Sequence, residues 1–170
     1  MNTTPDGEVV DASDCPSCGA AGVGGLDGCR AVFDRLGERE FSDPDYFRTH
    51  RLTVDAYSLQ HPEQFMKSSK SAAAHLTGMC WSLERGRSLH LPAPLKRWVD
   101  GPRSYVRVAA PPARGRGSIT VASMVDASDA ADYERLAMEW ARSAWAAWAA
   151  HWGQARAWVQ EALDESRRDT

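Results

Sequence analysis

A single long helical pattern near the C-terminal end constrains the fold of this chain more than any other feature. Apolar or small residues repeat there at alternating intervals of three and four positions: Met138, Ala141, Trp145, Trp148, Trp152, Ala155 and Val159. This spacing aligns them along one stripe of an α-helix, as in a helix of a bundle. A helix from Asp129 to Asp164 would measure about 54 Å, whereas a domain of this size is only about 40 Å across. We therefore expect the helix to bend, at Gly153, or to protrude into a partner.

The composition of the 170 residues fits a single helical domain. One isoleucine, many alanines and seven tryptophans favour closely packed helices over an extensive sheet. A net charge of −3 gives no reason to expect a nucleic-acid partner. No apolar stretch approaches the roughly 20 residues of a membrane span, and the N-terminal segment is polar and acidic. We therefore expect no membrane partner and a cytoplasmic location.

Further helices follow from apolar spacing and from residues that start or stop helices. The first is expected over residues 27–39. The second begins at the capping sequence Ser42-Asp43-Pro44 and ends near Gln60, and the third covers residues 69–85. Residues 87–118 are rich in proline, glycine and arginine, so we expect an irregular segment there.

Residues 104–122 leave two interpretations open. Tyr105 to Val108 and Ile119 to Val121 can pair as a small β-hairpin, or Thr120 can cap a short helix through Val125. The expected fold is all-α, a four-helix-type bundle with an N-terminal zinc knuckle. The expected organisation is a flexible N-terminus at 1–14, one helical domain at 15–166 with the knuckle at 15–29, and a frayed tail at 167–170.

Three of the four cysteines lie close together in the sequence, as Cys15-Pro16-Ser17-Cys18-Gly19 and Cys29. In a reducing compartment such a cluster indicates a metal site more often than a disulfide, and a C-x-x-C knuckle suits zinc. If the first two helices form an antiparallel hairpin joined near residues 41–43, the later half of the second helix lies beside Cys29. This geometry favours His61 as the fourth ligand. The alternatives are His50, Cys80, His75 or an open position that holds water.

Several phrases of the sequence resemble a known family. These are the C-P-S-C-G knuckle, Glu40-Phe41-Ser42-Asp43-Pro44, the run His50-Arg51-Leu52-Thr53-Val54-Asp55-Ala56-Tyr57 followed by Gln60-His61-Pro62, and Lys70 to Leu76. Together they are similar to an uncharacterised bacterial domain-of-unknown-function family (the 5946 type). The resemblance covers most of the chain and implies no particular chemistry.

Three further histidines lie on apolar or small-residue faces of different expected helices: His50, His75 and His151. Each can be a core histidine that donates to a backbone carbonyl. Alternatively, the three converge beside Asp55 and Tyr57 as a second metal or acid–base site, since bundles build such sites from facing helices. In that hypothesis these five residues are the candidate catalytic residues.

Two classes of function follow from these patterns. In the first, favoured slightly, the chain is a non-catalytic binding or adaptor protein with structural zinc, and its Trp-rich C-terminal helix docks a protein partner or a second copy. In the second, it is a small metal-dependent enzyme that acts on a small molecule in a histidine-lined pocket of the bundle. The arginines of residues 101–117 favour a solvated loop over an anion site.

Overall fold

All regular secondary structure is helical in residues 12–87 and 89–169, the part of the chain that the computed structural model describes. The α-helices are α1 (Gly25–Ser42), α2 (Pro44–Phe47), α3 (His50–Gln60), α4 (Pro62–Phe65), α5 (Ser69–Glu84), α6 (Ala93–Asp100), α7 (Ala130–Ala147) and α8 (Trp152–Arg168). The all-α prediction is confirmed. Most of the expected flexible N-terminus, residues 1–11, lies outside the described residues.

Four helices form the centre of the bundle. Helix α3 packs against both α5 and α7, and α5 packs against α8. Helix α1 contacts α2 and α3, while α6 covers α8. The interior is built from large side chains that are fully buried, among them Trp98, Trp140, Trp148, Leu59 and Leu76. No helix among the described residues has the length and apolarity that crossing a membrane requires.

The long C-terminal helix is interrupted, but not at the expected residue. Helix α7 ends at Ala147, a 3-10 turn covers Ala149–His151, and Gly153 lies inside α8. Trp148 has φ −98° and ψ 19°, and its indole Nε1 donates to the carbonyl of Leu59 at 3.0 Å. The break therefore coincides with the buried contact between Trp148 and α3, and not with Gly153.

The second expected helix is divided in two, because a turn at Arg48 and Thr49 separates α2 from α3. The expectation that residues 87–118 are wholly irregular is wrong, since they contain α6. Leu95, Trp98 and Val99 form the buried stripe of this short helix, at the spacing that an amphipathic helix requires.

No hairpin forms near residues 104–122 in the described structure. The short helix of the alternative is present, as a 3-10 helix at Val121–Met124, but the predicted cap is wrong, since the Thr120 side chain makes no capping bond. The polar groups of this segment bond to helices rather than to a second strand. The hydroxyl of Tyr105 donates to the carbonyls of Trp98 and Val99, and Gln60 donates to the carbonyl of Ile119 at 2.8 Å.

Candidate metal centre

Four side chains from the knuckle, α1 and the end of α3 meet at one point. They are Cys15, Cys18, Cys29 and His61, and their ligand atoms all lie within 4.8 Å of one another. All four residues are buried, with exposures of 0 to 2%. The structure therefore brings together the three cysteines and the histidine that the sequence predicted, and they are positioned to hold a metal ion.

Three of the six distances between these atoms match the edges of a tetrahedron around one ion. The His61 Nε2 lies 3.5 Å from the Sγ of Cys15 and 3.4 Å from the Sγ of Cys29. The sulfurs of Cys18 and Cys29 are 3.7 Å apart. An ion about 2.3 Å from sulfur and about 2.0 Å from nitrogen separates two tetrahedral sulfurs by about 3.8 Å, and sulfur from nitrogen by about 3.5 Å. The donor set and its dimensions fit zinc.

A backbone carbonyl of α3 fixes the orientation of the His61 ring. The Nδ1 of His61 donates to the carbonyl of Tyr57 at 2.9 Å. A carbonyl oxygen can only accept, so the proton of the neutral ring lies on Nδ1 and the lone pair of Nε2 is directed at the sulfurs. His61 terminates α3, with φ −128° and ψ 52°, and Pro62 then opens α4.

The knuckle is a tight turn that holds two sulfurs on one side. Two backbone hydrogen bonds close it: the amide of Cys15 donates to the carbonyl of Ala20, and the amide of Gly19 donates to the carbonyl of Cys15, both at 2.9 Å. Gly19 has φ +81°, a conformation that residues with a Cβ rarely adopt. The amide of Ala20 donates to the Sγ of Cys18 at 3.4 Å, which stabilises a thiolate there.

Tyr57 belongs to this centre rather than to a histidine pocket. Its ring stacks on His61 at 3.9 Å and on Phe33 at 3.9 Å, and its hydroxyl donates to the Sγ of Cys29 at 3.8 Å. Burial first, and then the neighbouring Cys29 side chain, raises the pKa of Tyr57 above its ordinary value. The phenol therefore stays protonated and remains a donor to sulfur.

The hydrogen bond between Cys18 and Cys29 separates the acidities of the two thiols. It lowers the pKa of Cys18 to about 4, because the Cys29 thiol stabilises the neighbouring thiolate. The same bond raises the pKa of Cys29, which has to retain its proton in order to donate it. Metal ligation requires deprotonated thiols, so an ion held at this point would replace the proton of Cys29.

Arg116 links the knuckle to α3 and α4. Only 3% exposed, its guanidinium donates to the carbonyl of Gln60 and the hydroxyl of Ser17, and it forms an ion pair with Glu63. The expectation of a solvated arginine loop is therefore wrong at this position. Arg103 is paired as well, with Glu161 and Glu165 of α8. The sequence around the two arginines did not reveal these acidic partners, because the partners belong to helices that are distant in the chain.

Of the other predicted catalytic residues, His75 and Asp55 bond to each other, whereas His50 and His151 bond to groups outside the predicted set. His75 Nδ1 bonds to Asp55 at 2.8 Å, and His50 Nδ1 bonds to Glu40 at 2.7 Å. His151 Nε2 bonds to the carbonyl of Ala109 at 2.7 Å. Within the described ranges, the Cys3His cluster is the only group of three or more Cys, His, Asp or Glu side chains placed to hold an ion. The three histidines therefore form no second metal cluster there.

Two buried groups escaped the sequence prediction. Glu40, 2% exposed, accepts hydrogen bonds from His50, Thr53 and Tyr133. Gln60, fully buried, accepts from the indole of Trp140 at 2.8 Å. Both residues belong to the motifs that carry the family resemblance, and this was the one indication of their importance in the sequence. Their hydrogen-bond partners could not be predicted, because most of them are far away in the chain.

The fold and the site together define a class of helical bundle with a buried Cys3His centre at its N-terminal end. The chain belongs to the family of unknown function DUF5946, whose model matches residues 13–149. This confirms the resemblance and includes all four site residues. No curated protein and no solved structure matches the chain.

Proposed function

We propose that this chain is a zinc-binding protein in which the ion is structural, and that it acts as a non-catalytic binding or adaptor protein. The observation that carries the proposal is the closure of the site. Three thiolates and one imidazole supply four ligands, and none of these residues is more than 2% exposed. Catalytic zinc keeps a position for water or substrate, whereas a structural site fills all four with protein groups.

The position of the centre explains what the ion would stabilise. The knuckle, the N-terminal part of α1 and the C-terminal end of α3 contribute the ligands, and Arg116 ties residues 111–116 to the same point. Metal binding contributes folding free energy when the ligands are not assembled in the unfolded chain. The ion would thus join the N-terminal segment to the bundle.

The metal-dependent enzyme hypothesis has less support. It requires His50, His75 and His151 to share one cavity, and the described contacts give each a different partner. Docking through the tryptophans of the Trp-rich C-terminal helix also has less support, since Trp140, Trp145, Trp148 and Trp158 are buried and Trp152 is half-buried. A partner of α7 or α8 would have to bind their exposed faces.

The proposal is tested by measuring the metal in the purified protein. Native mass spectrometry with elemental analysis should give one zinc per chain. Replacing the zinc by Co²⁺ should give the visible spectrum of a tetrahedral site with three sulfur ligands and one nitrogen ligand, and added azide should leave that spectrum unchanged. An apo mass with three freely titratable thiols would contradict zinc binding. A spectrum that shifts with azide would show an open position and favour catalysis.

A further inference from the structure

A groove between α3, α5 and α6 lies away from the metal centre and has a volume of about 660 Å³. This size lies within the range of small-molecule sites. We infer that the groove binds a small organic anion with an apolar body, such as a medium-chain carboxylate. The inference does not depend on the metal, because the groove shares no residue with the Cys3His cluster.

Apolar side chains from three helices line the groove. Val54 of α3, Ala74 of α5 and Val99 of α6 line it, together with Leu91, which precedes α6. The exposed ring of Phe41, 70% accessible, lies 4.6 Å from the ring of His50 at the edge of the groove. A single apolar chain can therefore contact all three helices at once.

Two buried carboxylates form hydrogen bonds with two polar side chains that line the groove, Arg51 and His50. Asp55, fully buried, accepts from the Nε of Arg51 at 2.8 Å, and Glu40 holds His50 at 2.7 Å. Buried carboxylates are costly, and in clefts such supporting groups typically fix functional side chains in position. The groove thus presents a guanidinium and an imidazole whose orientations are set from behind.

The guanidinium of Arg51 retains donors for a ligand. Its described contacts use Nε, which donates to Asp55, and Nη2, which donates to the carbonyl of Ala74 at 3.1 Å. The two Nη1 donors have no partner within the described residues, and Arg51 lines the groove. Guanidinium groups bind carboxylates through paired N–H donors.

The outer wall adds one cation and one anion. Lys96 forms an exposed ion pair with Asp100 at 2.6 Å, and both residues line the groove. Because exposed pairs of this kind contribute little to stability, Lys96 can turn towards a ligand carboxylate. Asp100 opposes an anion, so its charge should weaken the binding that Lys96 strengthens.

The test uses the whole 170-residue chain, loaded with zinc, and titration calorimetry with octanoate, octanol and octylammonium as probes. Octanoate should bind saturably, and octanol and octylammonium should bind at least about tenfold more weakly if an anion is recognised. Equal binding of octanol would overturn the inference by showing an apolar patch without anion recognition. Preference for octylammonium, or the absence of saturable octanoate binding, would overturn it as well.

Variants locate the site. Lys96→Ala should weaken octanoate binding about threefold, as expected for an exposed charge. Asp100→Asn should tighten it, and the matched control Lys67→Ala, outside the groove, should leave it unchanged. Ala74→Leu fills the groove and should remove binding, while zinc content stays at the wild-type value. Octanoate binding that none of the three groove variants changes would place the ligand elsewhere and overturn the inference.

Discussion

The imidazole Nε2 of His61 lies 3.4 Å from the Sγ of Cys29, although 32 residues separate the two in the chain. This contact closes the hairpin formed by α1, α2 and α3. It also determines which of the five histidines joins the cysteines.

Replacing His61 by Ala should weaken zinc retention strongly, because it removes one of four ligands and opens the centre to water. Competition with a chromophoric chelator measures the affinity of each variant. His151→Ala is the matched control and should retain zinc normally, since the His151 ring bonds to the carbonyl of Ala109 and not to the four cluster residues. Equal retention by the two variants would exclude His61 as a ligand.

Gly78→Ala should destabilise the fold by about 2–4 kcal/mol, in the range for disrupting a buried charged group. A Cβ at Gly78 would lie 2.5 Å from the Asp55 Oδ2 and even closer to the Arg51 guanidinium. The control is Gly37→Ala on α1, where a Cβ would meet no atom within 4 Å, and helix propensity predicts a gain of about 0.5–1 kcal/mol. Denaturant unfolding measures both, and a stabilising Gly78→Ala would refute the close approach of α3 and α5.

Trp148→Ala should lower the free energy of unfolding by about 3–5 kcal/mol, the usual cost of truncating a buried large aromatic side chain. Trp148 is 1% exposed, and its indole bonds to Leu59 of α3. Trp152→Ala removes a half-buried indole of the same stripe and should cost less. A loss below about 1 kcal/mol for Trp148→Ala would contradict its place in the core.

The pair formed by Glu84 of α5 and Arg156 of α8 predicts a pH dependence of stability. Hydrogen bonds from Arg156, at 2.8 Å to each oxygen, lower the pKa of Glu84. A carboxylate whose pKa is lowered by folding stabilises the protein above its unfolded pKa of about 4.3, and this contribution is lost as the pH falls through the lower folded value. Glu84→Gln should therefore be less stable than wild type at pH 6, and the difference should disappear in acid. Chemical unfolding of both proteins from pH 6 to pH 3 measures it, and a difference that grows in acid would contradict the assignment.

Local patterns in the sequence were sufficient for most of the helices and for part of the site, although they did not reveal α6 or the division between α2 and α3. Apolar or small residues recur every three or four positions from Met138 to Val159, and side chains at those intervals share one face of a helix. This pattern predicts a buried stripe whichever element the helix packs against. The knuckle is likewise local, since two cysteines three positions apart followed by glycine make one turn. The all-α class, three of the four site residues and the choice of His61 were therefore predictable.

Tertiary structure alone decided where the chain bends and which polar groups meet. The break at Trp148 depends on a carbonyl of α3, and the burial of Arg116 depends on Glu63, which is 53 residues away. His50, Asp55 and Tyr57 share one short helix, yet Glu40, His75 and Cys29 from other elements give each a different environment. The free energy of a buried polar group depends on the partner that satisfies it, and no periodicity along the chain specifies a partner that packing brings from a distant segment.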